Sequence, residues 1–214
     1  MPKIPVPDVL LRTLGRQLGG PSGPLGTVVA RMLNKGNAAT IRAAVEALEL
    51  TGGETAADIG FGGGLGLDLL LAGTGESGRV HGVEPSGDMV TRARRTHAAA
   101  LADGRLELHE APMEALPFPD GTLDGWISLN TIYFVADLAP AARELARVLA
   151  PSGRGVLGVA DPDWMASQAF TKHNFTLRPV AEVVATLEAS DLTVEDRTLT
   201  GRMPYHLLVC RPTR

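Results

Sequence analysis

A dense glycine turn between a short apolar run and a leucine-rich segment is the feature that most constrains this chain. The run Ala56–Ile59 contains one acid, Asp58, and four glycines fall within residues 60–64, after which leucines recur from Leu65 to Leu71. Glycine permits a sharp turn with positive φ and lets a ligand approach the main chain where a Cβ would block it. The order of strand, glycine turn and helix predicts a nucleotide-type site in an α/β fold.

The spacing of these glycines separates the possible ligands. A dinucleotide fingerprint needs G-x-G-x-x-G, but Leu65 or Leu67 occupies its third glycine position in the two possible frames. A P-loop is excluded because no Gly-Lys-Ser/Thr follows. The carboxylate of Asp58 would repel a pyrophosphate, whereas a ligand with a cationic amino-acid end would tolerate or use it.

Composition narrows the class of protein further. The 214 residues, 44% of them hydrophobic, suit one α/β domain with a short N-terminal extension. A net charge of −4 and the lack of a run of Lys or Arg argue against nucleic acid as a partner. No stretch approaches the roughly 20 apolar residues of a membrane span, and the N-terminus lacks the apolar core of a signal peptide. The single cysteine excludes a disulfide framework or a thiol metal site. We therefore expect a cytoplasmic protein without a metal centre.

Strand and helix patterns alternate after residue 50. The first five predicted strands are separated by helices, which favours parallel βαβ units, whereas the last two are joined by a link too short for a crossover and must form an antiparallel pair. We predict a Rossmann-like, doubly wound, mainly parallel seven-stranded sheet with a final antiparallel strand. The strands are predicted near 55–60, 79–84, 106–110, 123–129, 154–160, 192–200 and 205–211, and the helices near 65–73, 87–102, 138–149 and 179–190.

The N-terminal part of the chain has a different character. Residues 1–37 are rich in Pro and Gly but carry short stretches of helical periodicity, with breaks at Pro21–Pro24 and Asn34–Asn37. We predict that this extension forms a helical lid, with the breaks as hinges, over a domain that covers residues 38–214.

Four ordered motifs make the chain similar to a known family. The segment Asp58–Gly64 resembles the first motif of class I S-adenosylmethionine-dependent methyltransferases, and Val80–Pro85 resembles their second strand, which ends in an acid. The segment Glu114–Asp124 is similar to their "LPFPDGSFD" run, and Arg147–Arg154 to their "R-V-L-x-P-G-G-R" run. The resemblance covers about Ala38–Cys210 and is strongest to the type 11 group with the quinone C-methyltransferases.

The resemblance implies S-adenosyl-L-methionine as cofactor and S-adenosyl-L-homocysteine as product. Glu84 would accept hydrogen bonds from both ribose hydroxyls, Asp58 would act on the methionine end, Asn130 would take the amino group and Met89 would cover an adenine face. The implied cofactor-binding residues are Asp58, Gly60, Phe61, Gly62, Gly64, Glu84, Pro85, Met89, Pro112, Met113 and Asn130.

Each of these assignments has a structural alternative. Glu84 could cap the following helix, and Asp58 could be an ordinary acid at the end of a strand. Asn130 could be a turn residue and Met89 a core residue.

One position departs from the family pattern. Many relatives carry Asp two residues before the Glu of "E-x-L-P-F", where it accepts from the adenine amino group, but this chain has Pro112. Proline offers neither a side-chain acceptor nor an N–H. Adenine would then be recognised by the N–H of Met113, or by Glu110 or Glu114.

Methyl transfer from a sulfonium is an in-line displacement, so alignment of the reactants can supply much of the catalysis. A general base is needed only when the nucleophile retains its proton. The candidates are Tyr133, Asp161 and His173, although a histidine or tyrosine at such places could equally be structural. Around them Trp164 and Phe175 are typical of a pocket for a moderately apolar molecule.

The sequence thus predicts a methyltransferase that acts on a small, moderately apolar acceptor through O, N or C, as a monomer or homodimer. The alternative is a non-catalytic S-adenosylmethionine-binding protein with a regulatory or assembly role. A nicotinamide-dependent oxidoreductase is disfavoured by the glycine spacing.

Overall fold

Strands and helices alternate along the computed structural model, which describes residues 12, 13, 15, 19, 36–201 and 203–213. The strands are β1 (Thr55–Ile59), β2 (Arg79–Val83), β3 (Leu106–His109), β4 (Leu123–Leu129), β5 (Leu149–Ala160), β6 (Leu192–Leu199) and β7 (Tyr205–Pro212). The α-helices are α1 (residues 36–47), α2 (Leu65–Gly73), α3 (Gly87–Thr96), α4 (Ala98–Ala102), α5 (Leu138–Arg147), α6 (Pro162–Ala166) and α7 (Val180–Glu188). Two 3-10 turns cover Ile132–Phe134 and Ala169–Lys172. None of these described helices is long and apolar enough to cross a membrane.

All seven strands form one sheet in the order β3-β2-β1-β4-β5-β7-β6. Strands β1 to β5 are parallel, and β7 runs antiparallel between β5 and β6. The strand order reverses between β2-β1 and β4-β5, which creates the crevice where α/β sheets bind ligands. The predicted Rossmann-like sheet with an antiparallel last strand is confirmed.

Three details differ from the sequence prediction. The helix expected over 87–102 is two helices, because the chain bends at His97, whose ring binds Ala93 O and Asp68 Oδ1 at 3.1 and 3.0 Å. Strand β5 begins at Leu149 instead of residue 154, since Leu149 pairs with Leu123 before an irregularity in the register. The short helix α6 was not predicted; Asp161 accepts a hydrogen bond from the N–H of Trp164 at its first turn.

The core is built around the centre of the sheet. Trp126 on β4 is fully buried, and its indole N–H donates to Leu145 O on α5 at 3.1 Å. The ring lies directly over Gly155 of the neighbouring strand, where a Cβ would overlap the indole carbons. The largest side chain of this aromatic-poor core is therefore accommodated only by glycine on β5.

One arginine joins two of the sequence motifs. The guanidinium of Arg147, at the end of α5, donates to the carbonyl oxygens of Leu116 and Phe118 at 3.2 and 2.6 Å. It also pairs with the carboxylates of Glu144 and Asp120 at 2.7 and 2.9 Å. This arginine therefore holds the segment that leads into β4 against α5.

The turn after β1 requires glycine at its first position. Gly60 has φ 78°, and a Cβ there would overlap the Thr131 Cγ2 methyl group. Its N–H donates to Val83 O at 2.7 Å, so the backbone cannot move away without breaking that bond. Both the dihedral and the contact exclude a side chain.

We expect Gly60→Ala to lower the free energy of unfolding by more than about 1 kcal/mol, because it adds a steric clash to an unfavourable positive φ. Gly104 also has a positive φ, 69°, but nothing lies within 4 Å of a Cβ placed there. Gly104→Ala therefore isolates the dihedral cost, and urea denaturation of both variants gives the difference. Equal losses would contradict a specific role for the contact with Thr131.

Candidate functional site

A cavity of about 430 Å³ opens at the carboxyl ends of four parallel strands. The last residues of β1, β2, β4 and β5, namely Ile59, Val83, Leu129 and Ala160, all line it. The volume lies within the range of small-molecule sites. The cavity occupies the crevice that the strand order predicts.

Glu84 closes the β2 side of this cavity. Its side chain is 5% exposed, and its two carboxylate oxygens accept hydrogen bonds from the N–H groups of Gly62 and Ser86 at 3.0 and 3.1 Å. Burial raises the pKa of Glu84, while the two N–H donors act in the opposite direction. Each oxygen keeps acceptor capacity for a further donor, since a carboxylate oxygen has two lone pairs. The acid thus braces the glycine turn and can also bind a ligand.

Asp58 lies beside it, next to last on β1. Its side chain is 5% exposed, lines the cavity, and fills the space over Gly66 on α2. Burial, followed by the nearby charge of Glu84, raises the pKa of Asp58 to about 8. A cationic ligand group next to these two acids would favour the ionised form of Asp58.

The turn after β4 forms the third polar part of the site. Asn130 has φ 59° and lines the cavity, while its N–H donates to Gly158 O at 2.9 Å. The Ser128 hydroxyl donates to Ile59 O at 2.8 Å and lies 2.6 Å from the hydroxyl oxygen of Thr131. This hydroxyl pair fixes the Asn130 turn against the end of β1.

The chain resembles several known proteins over this region. Residues 57–157 match the model of a methyltransferase domain. The ubiquinone/menaquinone biosynthesis C-methyltransferase UbiE of Geobacter sulfurreducens is 34% identical over 117 residues, which cover 54% of this chain and 45% of that protein. Over this region the chain is therefore similar in sequence and in fold to S-adenosylmethionine-dependent methyltransferases.

Two further known proteins show how much of the chain is similar in sequence and how much in fold. An uncharacterized 37.1 kDa protein in transposon TN4556 of Streptomyces fradiae is 36% identical over 137 residues, 60% of this chain and 39% of that protein. The aligned part thus spans less than half the length of either relative. A putative methyltransferase solved in complex with the Haloferax volcanii Trm112 methyltransferase activator has a TM-score of 0.77 at 20% identity, covering 94% of this chain and 98% of that one. At this identity the likeness establishes the fold alone.

Most of the predicted cofactor residues line the cavity. Those that do are Asp58, Gly60, Phe61, Gly62, Glu84, Pro85, Pro112, Met113 and Asn130. Gly64 does not line it; with φ 86° it ends the turn at the start of α2. Met89 is 3% exposed in the hydrophobic core and is absent from the lining, so the structure supports its alternative role as a core residue.

The segment with Pro112 reaches the cavity as expected. Pro112 O accepts from the N–H of Ala115 at 3.2 Å, and Met113 is 7% exposed. Glu114 lines the cavity, whereas Glu110 does not and lies instead close to Gly87 at the start of α3. Of the three groups proposed to recognise adenine, Met113 and Glu114 are the two in position.

The three predicted catalytic residues have different surroundings. Tyr133 lines the cavity, but its hydroxyl oxygen accepts from the N–H of Ala160 at 2.7 Å, and burial raises the pKa of Tyr133 well above its usual value. Asp161 caps α6 and lies 3.8 Å from the ring of His206, outside the cavity lining. His173 ends the second 3-10 turn, also outside the lining. The structure therefore brings only Tyr133 to the cavity, as a neutral hydroxyl.

The residue that holds the other wall of the cavity is not marked by any sequence motif. Arg178, with a side chain only 8% exposed, donates to the carbonyl oxygens of Ile132, Val135 and Ala136 at 3.0, 2.8 and 2.8 Å. These carbonyls belong to the loop that carries Tyr133 and Phe134 into the cavity. Its sequence neighbourhood does not reveal this role, because the three carbonyl acceptors lie more than 40 positions earlier in the chain.

Two described residues of the N-terminal part of the chain contribute to the cavity wall. Gly19 and Asn37 line the cavity, and a Cβ on Gly19 would lie 2.6 Å from the Phe134 ring. The proposed hinge at Pro21–Pro24 lies outside the described residues, and of the second hinge, Asn34–Asn37, the described residues Gly36 and Asn37 belong to helix α1 instead of a break. The lid stays a prediction.

The raised pKa of Asp58 predicts a pH dependence of stability. The folded-state value of about 8 exceeds the ordinary value of 3.8, so the folded protein binds this proton more tightly than the unfolded chain. The stability contributed by the protonated form is complete below about pH 4 and is lost as the pH rises through about 8. We expect Asp58→Asn to become increasingly stable relative to wild type between pH 5 and 8, with no further change above.

Urea denaturation at several pH values measures this difference. Asp103→Asn is the matched control, since Asp103 is an exposed acid at the end of α4. A constant difference between Asp58→Asn and wild type across this range would show that the carboxyl group titrates normally.

Proposed function

We propose that this chain binds S-adenosylmethionine in the cavity and transfers its methyl group to a small, moderately apolar acceptor through O, N or C, releasing S-adenosylhomocysteine. One observation carries this proposal: a single cavity joins buried acids and a glycine turn on the β1–β2 side to an aromatic wall on the β4–β5 side. The first side suits a ligand with a diol and a cationic group. The second suits an apolar partner.

The residues that line the cavity fit the cofactor. Glu84 keeps acceptor capacity for ribose hydroxyls, and the buried Asp58 carboxyl group has no hydrogen-bond donor among the described residues. Gly60, Gly62 and Gly63 line the cavity without side chains, so a ligand can lie against their backbone. Asn130 adds a polar side chain on the opposite side of β1, which suits the amino group.

The acceptor would lie against a cluster of aromatic rings. The centroid of the Phe175 ring is 4.9 Å from that of Phe134, 5.7 Å from that of Tyr133 and 5.7 Å from that of Phe170. Trp164 also lines the cavity. Such a surface favours apolar or aromatic acceptors and excludes water from the reacting atoms.

The bound cofactor would supply an electrophilic methyl group on a sulfonium. The chain would contribute alignment, since Arg178 and the Tyr133–Ala160 hydrogen bond fix the loop that faces the acceptor. No histidine lines the cavity in the described part of the chain. We therefore favour an acceptor atom that loses its proton without a dedicated base.

Calorimetric titration with S-adenosylmethionine, S-adenosylhomocysteine, NAD and NADP tests the cofactor assignment. We expect binding of the first two alone, because the third fingerprint glycine is missing and two acids face the ligand. Tight binding of a dinucleotide without binding of the sulfonium compound would refute the assignment. Incubation with methyl-labelled cofactor and a panel of apolar and charged acceptors then separates an enzyme from a non-catalytic binding protein.

Glu84→Ala should weaken S-adenosylmethionine binding by roughly 30- to 1,000-fold, equivalent to about 2–4 kcal/mol. It removes hydrogen bonds to a charged acceptor, and water recovers part of the loss. It also leaves the N–H groups of Gly62 and Ser86 without their acceptor, so the free energy of unfolding should fall by about 1–3 kcal/mol. Glu84→Gln should cost less than Ala but should still weaken binding, because its amide nitrogen would face one of these N–H donors.

The control is Glu76→Ala, which removes the same charge from an exposed position outside the cavity lining. Cofactor titrations and thermal melts on all variants separate binding from folding. Wild-type affinity in a folded Glu84→Ala protein would show that the acid only braces the turn.

A further inference from the structure

A cluster of two histidines and one glutamate lies on β2 and β3, apart from the cavity. His81 on β2 pairs directly with Glu107 on β3, and His109 follows two positions later on the same strand. Because side chains alternate along a strand, all three lie on one face of the sheet. None of them lines the cavity, and β3 is an edge strand.

The ligand-type atoms of this cluster converge. Nδ1 of His81 lies 3.2 Å from Nε2 of His109, and the Glu107 carboxylate oxygens lie 3.7 and 3.8 Å from these two nitrogens. Two Zn–N bonds of about 2.0–2.1 Å at a tetrahedral angle place their nitrogens about 3.3 Å apart. The two imidazoles already have this separation. The Glu107 side chain is 67% exposed and is free to move the few tenths of an ångström that its oxygens need.

The surroundings hold the two rings in place. The Phe118 ring packs edge-on against both imidazoles, with centroids 5.1 and 5.2 Å away. The His81 and His109 side chains are only 14% and 18% exposed. The two rings are therefore held in place, with one nitrogen of each close to the other.

We propose that His81, Glu107 and His109 form a three-ligand site for a divalent transition-metal ion, with zinc as the best match. Two imidazole nitrogens and a carboxylate oxygen form a donor set that suits zinc, whereas calcium and magnesium prefer oxygen ligands. The fourth coordination position faces solvent and would be taken by water. The ion would connect β2 to the edge strand β3 and so stabilise an otherwise exposed edge of the sheet.

Zinc titration of metal-stripped full-length protein, followed by calorimetry and thermal melts, tests the proposal. We expect one equivalent to bind, and the melting temperature to rise by roughly 5–11 °C at a free zinc concentration 100 times Kd. Magnesium at the same concentration should have no effect. Loss of a ligand should weaken binding at least as much as the 10- to 100-fold typical of a lost outer-shell partner.

Three variants decide whether the ion binds here. Glu107→Gln and His109→Gln should each lose zinc binding and the rise in melting temperature. The control is His206→Gln, since His206 on β7 is also half-buried and paired with an acid, Asp196, at 2.9 Å. It should bind zinc as wild type does.

Glu107 is exposed, so Glu107→Gln is expected to fold normally and decides the question if His109→Gln does not fold. Absence of a zinc-dependent shift in wild type would overturn the proposal. Wild-type zinc affinity in the Glu107→Gln and His109→Gln proteins would do the same, and would leave the His81–His109 contact as a plain hydrogen bond.

Discussion

The turn after β1 passes between the ends of β2 and β4, where Gly60 has no room for a side chain, and the rest of the site depends on this close approach. Gly60 donates to the end of β2 and lies against Thr131 beyond β4, while Gly62 donates to Glu84. The backbone is therefore held on both sides while remaining open toward the cavity. A ligand can meet the main chain here because the strands, instead of the turn's own side chains, fix its position.

Burying the two acids next to this turn costs free energy, so their presence points to a ligand. Asp58 and Glu84 are both 5% exposed, and each shows a raised pKa because burial disfavours the charged form. Glu84 offsets part of that cost with two N–H donors, whereas Asp58 has no such partner among the described residues. A buried acid without a partner at the mouth of a cavity is best explained by a cationic ligand, which agrees with the proposed cofactor.

The opposite wall is organised by contacts between segments that are distant in the chain. Arg178 holds three carbonyl groups of the loop after β4, and the hydroxyl of Tyr133 binds the end of β5. Burial makes this tyrosine a poor base, so it contributes shape and rigidity to the aromatic wall. The acceptor side of the cavity is thus rigid and apolar, which supports a role in alignment over acid–base chemistry.

The sequence by itself determined the positions of the strands, the parallel direction of the first five, the position of the glycine turn and the acids at the ends of β1 and β2. These follow from local periodicity, from the lengths of the connections and from residues that only such a turn accepts. It did not determine which way helical and loop side chains face. Met89, predicted to cover adenine, lies in the core, and Asp161 and His173, the candidate bases, lie outside the cavity lining. Tertiary structure also decided the contacts of Arg178 and the meeting of His81 with His109. Both depend on segments that are distant in the chain and come together only in the folded protein.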